Sequence, residues 1–276
     1  MTETHTITAP DGIKLHVREW GPATGKPILL IHGWSQNYLC WEKQFSSTLA
    51  DRFRIVALDI RGHGMSDSPL EQSHYTDSNK WADDVASIIE TLSLDRPILV
   101  GWSYGGLIIG DYVRVHGTGK IAGINFVGAA PALNEASMGK FIGPGFTDNF
   151  AAATNPDLAI SLVAIRDFLH GCFEIPLSRD EFEVALAFNA VVDPTVRGNL
   201  AARDVNNEAL FETIDVPVLV THGDKDDVVL PAAGECFASK CPDATASWYE
   251  GVGHAPFLED AERFNRELGE FRDRVN

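Results

Sequence analysis

Short apolar runs alternate with helical spacings along most of the chain. Residues 4–9 and 13–20 are joined by Pro10-Asp11-Gly12 and predict a β-hairpin. Residues 27–31 and 54–60 are compact apolar runs, the pattern of strands buried on both faces. Trp81, Val85, Ile88, Ile89 and Leu92 then fall at helical spacing, with Thr76 or Asp77 placed to cap that helix. Residues 97–100 predict another strand, followed at once by a helical pattern over 107–115 and a strand over 121–127. Strands recur at 216–220 and 245–249, with a helix over 231–240 between them. A last amphipathic helix over 258–275 places Phe264, Leu268, Phe271 and Val275 on one face. Such alternation implies a mostly parallel sheet covered by helices on both sides.

The alternation stops between Pro131 and Ile214. This stretch lacks good strands and predicts helices over 158–170, over 179–190 and from Pro194 onward. It is rich in Phe. We read residues 132–212 as a helical cap inserted into a core formed by residues 1–131 and 213–276. A cap over strand ends roofs the kind of apolar pocket that small-molecule sites favour. Phe at helical spacing is first of all core, so no Phe is assigned to a ligand.

The junction at residues 97–107 carries the most chemistry. The strand runs into Gly101-Trp102-Ser103-Tyr104-Gly105, and a helix follows. A serine on so sharp a turn needs glycines on either side, because a β-carbon would meet the neighbouring strand and helix. This is the pattern of a nucleophile elbow, which raises a hydroxyl above the sheet beside a helix N-terminus. A serine hydroxyl is a weak nucleophile at neutral pH. It needs a base within hydrogen-bond reach and a carboxylate to orient that base. Both follow strands later in the chain, in the order acid then histidine. His222-Gly-Asp224-Lys-Asp226-Asp227 follows the 216–220 strand, and Gly251-Val-Gly253-His254 follows the 245–249 strand. His254 is the expected base. The residues alone leave Asp224, Asp226 and Asp227 as candidates for the acid. The expected oxyanion donors are the backbone N–H of Tyr104 and that of Trp34 in His32-Gly33-Trp34. The side chains of Trp34, Trp102 and Tyr104 are the candidate substrate contacts. His32 and His222, each before a glycine at a strand end, read as structural. So do Asp59 and Arg61 in Asp59-Ile-Arg-Gly-His-Gly-Met-Ser66, which lacks the spacing of a phosphate loop.

Composition narrows the partners. A net charge of −17 argues against nucleic acid and against an anionic membrane surface. No apolar stretch approaches membrane-spanning length. The four cysteines are scattered without a Cys-x-x-Cys pair, as free thiols in a reducing compartment would be. No His/Cys/carboxylate spacing suggests a metal, and no cofactor is expected. The first residues show no basic region followed by an apolar run, so the expectation is a cytoplasmic protein. A homo-oligomer is compatible with all of this.

Together these residues resemble the α/β-hydrolase superfamily over nearly the whole chain. Three runs are similar to the bacterial cofactor-free haloperoxidases, a branch that includes aryl esterases and perhydrolases. They are His32-Gly-Trp34 with Trp41-Glu42 and Gln44, then Arg61-Gly-His-Gly-Met-Ser66, then His116-Gly117-Thr118. The resemblance implies an α/β-hydrolase fold, with a mostly parallel eight-stranded sheet, flanking helices and an inserted helical cap. In that family's His-Gly-Asp-x-Asp register the second aspartate is the acid, which selects Asp226. The residue after His-Gly supplies the oxyanion N–H there, which selects Trp34. The chain departs from the branch at Trp102 and Tyr104, where Phe and Met are usual, and at Ser35, where Pro is frequent. The implied activity is hydrolysis of small carboxylic esters through a Ser103–Asp226–His254 triad, with peracid formation as a side activity. Lactone opening and carbon–carbon bond hydrolysis use the same triad. A ligand-binding receptor that retains vestigial hydrolase activity is the rival from another class.

Overall fold

The structure, a computed structural model, describes residues 2–275. Its centre is an eight-stranded sheet. The strands are β1 (Thr2–Thr8), β2 (Lys14–Trp20), β3 (Pro27–Ile31), β4 (Arg54–Leu58), β5 (Ile98–Trp102), β6 (Gly123–Val127), β7 (Val218–Gly223) and β8 (Ala244–Tyr249). Their order across the sheet is β1-β2-β4-β3-β5-β6-β7-β8. The pairs β1/β2 and β2/β4 are antiparallel, and every other pair is parallel. Strands β3, β5 and β6 are buried throughout, as their uninterrupted apolar runs require.

Helices α1 (Ser78–Thr91), α2 (Gly105–His116), α7 (Pro231–Lys240) and α8 (Ala261–Arg274) belong to the core. Asp77 caps α1, its side chain accepting from Asn79 N. The inserted segment carries α3 (Pro144–Ala153), α4 (Leu158–Gly171), α5 (Arg179–Ala190) and α6 (Pro194–Ala201). A two-residue antiparallel ribbon, Ala132–Leu133 with Val205–Asn206, ties the two ends of this segment together. The loop after β4 is structural, as expected. Arg61 is fully buried, paired with Asp84 at 2.7 Å and Asp11 at 2.8 Å.

Several boundaries differ from the sequence expectation, each for a local reason. Helix α2 begins at Gly105 rather than at residue 107. Its first glycine packs on β3, where a Cβ would lie 2.5 Å from Ile31 O. Helix propensity disfavours glycine, but this approach demands it. Strand β7 runs on to Gly223 because β8 continues to pair with Thr221, His222 and Gly223. The single helix expected over 258–275 is broken. Asp260 leaves helical geometry at φ −132° and ψ 61°, accepts from Arg263 N, and starts α8 afresh after a short turn at Pro256–Glu259. Helix α3 was not expected. Its signals were Pro144 at the first turn and Phe146 and Phe150 one turn apart.

Candidate active site

The site stands at the carboxyl ends of β5, β6 and β7, where open α/β sheets place their ligands. Ser103 follows β5 directly and holds φ at +56°, a left-handed conformation that a non-glycine residue rarely adopts. The surroundings hold it there. Ser103 N donates to Val127 O at 3.0 Å, and its carbonyl accepts from Ala130 N and Gly106 N, both at 3.0 Å. The glycines of the pentapeptide are sterically required. A Cβ on Gly101 would lie 2.6 Å from Ile109 Cδ1 and 2.8 Å from the Gly105 backbone.

His254 Nδ1 lies 2.8 Å from Asp226 Oδ2, and both residues are buried. With the Nδ1 proton donated to the carboxylate, Nε2 is the basic nitrogen. Asp226 is fixed from three further directions. Asp226 Oδ1 accepts from Val228 N at 3.0 Å and Val229 N at 2.9 Å. His222 Nε2 lies 3.2 Å from Asp226 Oδ2 and 2.8 Å from Val229 O. Burial alone would raise the Asp226 pKa. The adjoining His254 and His222, by charge and hydrogen bonding, overcome burial and bring it down to about 2. The other two aspartates stay outside: Asp224 and Asp227 are exposed, and Asp224 Oδ1 accepts from Gly251 N at 2.7 Å.

Gly128, just past β6, presses against this pair with φ +46°. A Cβ there would lie 3.0 Å from His254 O and 3.2 Å from both Asp226 Oδ2 and His254 Nδ1. His254 is also held by its backbone. His254 N donates to Cys172 O at 2.9 Å, and His254 O accepts from Trp102 Nε1 at 2.9 Å.

The Gly33–Trp34 segment abuts the serine, since a Cβ on Gly33 would lie 2.9 Å from Ser103 Cβ. A cavity of about 30 Å³ opens beside Ser103. Trp34 and Tyr104 line it with Leu133, Ile142, Phe146, Val228 and Val229. Its wall is mostly apolar. Trp34 is wedged edge-on against Phe146 and Phe168, with ring centroids 5.2 and 5.3 Å away. Tyr104 donates its hydroxyl to Leu200 O at 3.1 Å, and burial pushes its pKa up to about 12. Trp102, expected as a substrate contact, is not among the cavity's lining residues. Its indole sits behind the site, against His254, Trp41 and Phe257.

Of the residues singled out in the sequence, Ser103, Trp34 and Tyr104 border one cavity and Asp226 meets His254, while the residues that hold them in place were not all singled out. His222, expected to be structural, supports Asp226 directly, and its position four before that aspartate was the signal for the contact. Gly128 and Cys172 gave no signal at all. Among the described residues, no group of three or more His, Cys, Asp or Glu side chains could hold a metal ion. All four cysteines are free and buried. Among those residues, no helix is long and apolar enough to cross a membrane.

Residues 26–261 match the family model for the alpha/beta hydrolase fold, and the chain belongs to that family. It is an α/β hydrolase of the esterase and haloperoxidase type. The chain is 31% identical to the non-heme chloroperoxidase CPO-A1 of Kitasatospora aureofaciens, over 96% of this chain and 98% of that protein. It is 27% identical to the bifunctional esterase/perhydrolase DCH of Acinetobacter calcoaceticus, over 95% and 97% respectively. The crystal structure of the esterase RhEst1 from Rhodococcus sp. ECU1013 superposes with a TM-score of 0.94 at 34% identity, covering 99% of both chains.

Proposed function

We propose that this protein hydrolyses small, uncharged carboxylic esters through a covalent acyl-enzyme on Ser103. The observation that carries the reading is the buried His254–Asp226 hydrogen bond of 2.8 Å at the same sheet edge as the strained Ser103. Ser103 Oγ attacks the ester carbonyl while His254 Nε2 takes its proton. The negative oxygen of the tetrahedral intermediate accepts from the backbone N–H groups of Trp34 and Tyr104. The intermediate collapses, and His254 returns the proton to the departing alcohol. Water, deprotonated by His254, then releases the acid and restores Ser103. Asp226 keeps the imidazole tautomer and stabilises the imidazolium that forms twice in the cycle.

The apolar wall around Ser103 supports neutral substrates, because a charged group there would be desolvated without a partner. Hydrogen peroxide in place of water would give a peracid by the same second step. The similarity to a bifunctional esterase/perhydrolase over 95% of the chain favours that side activity. The same resemblance in fold extends to proteins of other reaction types, so the substrate is argued from the cavity.

The test is turnover of p-nitrophenyl acetate, butyrate and octanoate by wild type, Ser103→Ala and His254→Ala. A wild-type burst of p-nitrophenol that both variants abolish is expected. An inactive wild type across this panel would contradict the reading and favour a ligand-binding role.

A further inference from the structure

Three consecutive residues of the loop after β3 are hydrogen-bonded to the inserted segment. Trp34 Nε1 donates to Arg197 O at 3.0 Å. Ser35 Oγ accepts from Arg197 Nε at 3.0 Å. Gln36 and Asn189 exchange amide hydrogen bonds, at 3.3 Å from Gln36 Nε2 and 3.2 Å from Asn189 Nδ2. Arg197 is at the centre of this network. It is 1% exposed, on α6. Its remaining donors reach Ala153 O at 3.0 Å, Ser161 Oγ at 2.8 Å and Asn189 O at 2.7 Å. It therefore joins α3, α4, α5 and α6 to the loop that carries the Trp34 amide.

None of these four acceptors is a carboxylate. Burying a guanidinium on neutral oxygens alone is costly, and stability would be better served by an apolar side chain of the same volume. Burial lowers the Arg197 pKa to about 10, with Asp193 opposing, so the charge persists at neutral pH. Ser35 is itself unusual. It holds φ at +62°, and its N–H donates to His63 Nε2 at 3.1 Å. That bond requires a neutral His63. Burial first, then the neighbouring His32 and Arg197, keep the ring unprotonated. The peptide after Trp34 is thus held in a strained conformation from both sides.

We propose that Arg197 is a positioning residue for the reaction. It locks Trp34 and Ser35 so that the Trp34 N–H faces the developing oxyanion, and its unpaired charge favours negative charge there. This rests on the esterase reading above. Binding of the neutral ester gains nothing from such a device, so its effect belongs to the transition state. Small displacements of a positioning loop are sufficient to matter, since about 1 Å can cost about 100-fold in rate.

The experiment compares wild type, Arg197→Met, Arg197→Lys and Ser35→Ala on p-nitrophenyl butyrate, with phenylboronic acid as the inhibitor. Its trigonal boron becomes tetrahedral and anionic when Ser103 Oγ bonds to it and the serine proton passes to His254. For Arg197→Met we expect kcat to fall about 10- to 100-fold with KM held within about threefold. The boronate inhibition constant should rise by a similar factor. Arg197→Lys should recover part of both, and Ser35→Ala should show a smaller loss of the same kind. Wild-type kcat in folded Arg197→Met, or a rise in KM alone, would overturn the proposal. Should Arg197→Met fail to fold, wild-type kcat in both Arg197→Lys and Ser35→Ala would overturn it. A wild type with no esterase activity would remove the ester reading and this proposal with it. An active wild type with unaffected variants would remove only the role of Arg197.

Discussion

The indole N–H of Trp102 donates to the backbone carbonyl of His254 at 2.9 Å. The residue before Ser103 thereby holds His254 from behind, and the two loops are joined by one side chain. Trp102→Phe keeps an aromatic ring beside Trp41 and Phe257 but removes this bond and part of the indole's packing. Stability should fall by about 1–3 kcal/mol, read by thermal or urea unfolding. Turnover should fall by about tenfold with KM unchanged, because Trp102 is not among the residues lining the cavity. An increase in KM at constant kcat would instead return Trp102 to the substrate.

Asp226 is the aspartate whose carboxylate meets His254, the proposed base. Asp226→Asn should lower kcat by about 10⁴-fold through the wrong imidazole tautomer. Asp224→Asn and Asp227→Asn should retain most activity. Steady-state kinetics on the three variants separates these outcomes.

The same carboxylate sets an acid limit. Its folded pKa of about 2 lies below the ordinary 3.8. The stability it contributes is therefore fully present above 3.8 and is lost as pH falls through about 2. Wild type should lose stability over that window, and Asp226→Asn should lose less over the same window. Parallel unfolding curves for the two proteins would contradict this.

Phe146, on α3, closes the small cavity beside Ser103 and packs on Trp34. Phe146→Ala should enlarge the cavity and shift preference from acetate toward octanoate esters. The ratio of kcat/KM values for the two esters is expected to move by about tenfold or more, in line with about 1–3 kcal/mol for a single methylene in an apolar pocket. An unchanged ratio would place the acyl chain elsewhere.

The Arg61–Asp84 pair makes a prediction about the fold alone. Arg61→Met leaves Asp84 buried without its cation. The expected loss is about 3–5 kcal/mol. Calorimetry should show this as a substantially lower Tm, with no effect on the boronate affinity of the folded protein.

The core strands were legible because a doubly covered sheet demands apolar runs of strand length, as in β3 and β5. Ser103 and His254 stood out because each follows a strand end, and Gly101 and Gly105 mark the turn that Ser103 requires. The residues alone left Asp224, Asp226 and Asp227 open, and only the family resemblance chose Asp226. What stayed hidden depends on contacts distant in sequence. Nothing around Gly128 says that its missing Cβ makes room for His254 and Asp226. Arg197 looks like any polar helical residue until α3, α4 and α5 close around it. The break at Asp260 was hidden as well, because amphipathic spacing continues across it. Tyr104 was recognisable by its place after the nucleophile. Its anchoring by Leu200 O and Arg203 was not, since both partners lie about a hundred residues away.

The central claim is that Ser103 is the nucleophile and that His254 activates it. The most direct test is intact-protein and peptide mass spectrometry after brief exposure to a neutral alkyl fluorophosphonate. One adduct per chain on the peptide containing Ser103 is predicted, forming far more slowly in His254→Ala and not at all in Ser103→Ala. No adduct on the wild type, an adduct on another residue, or equal labelling of His254→Ala would contradict the claim.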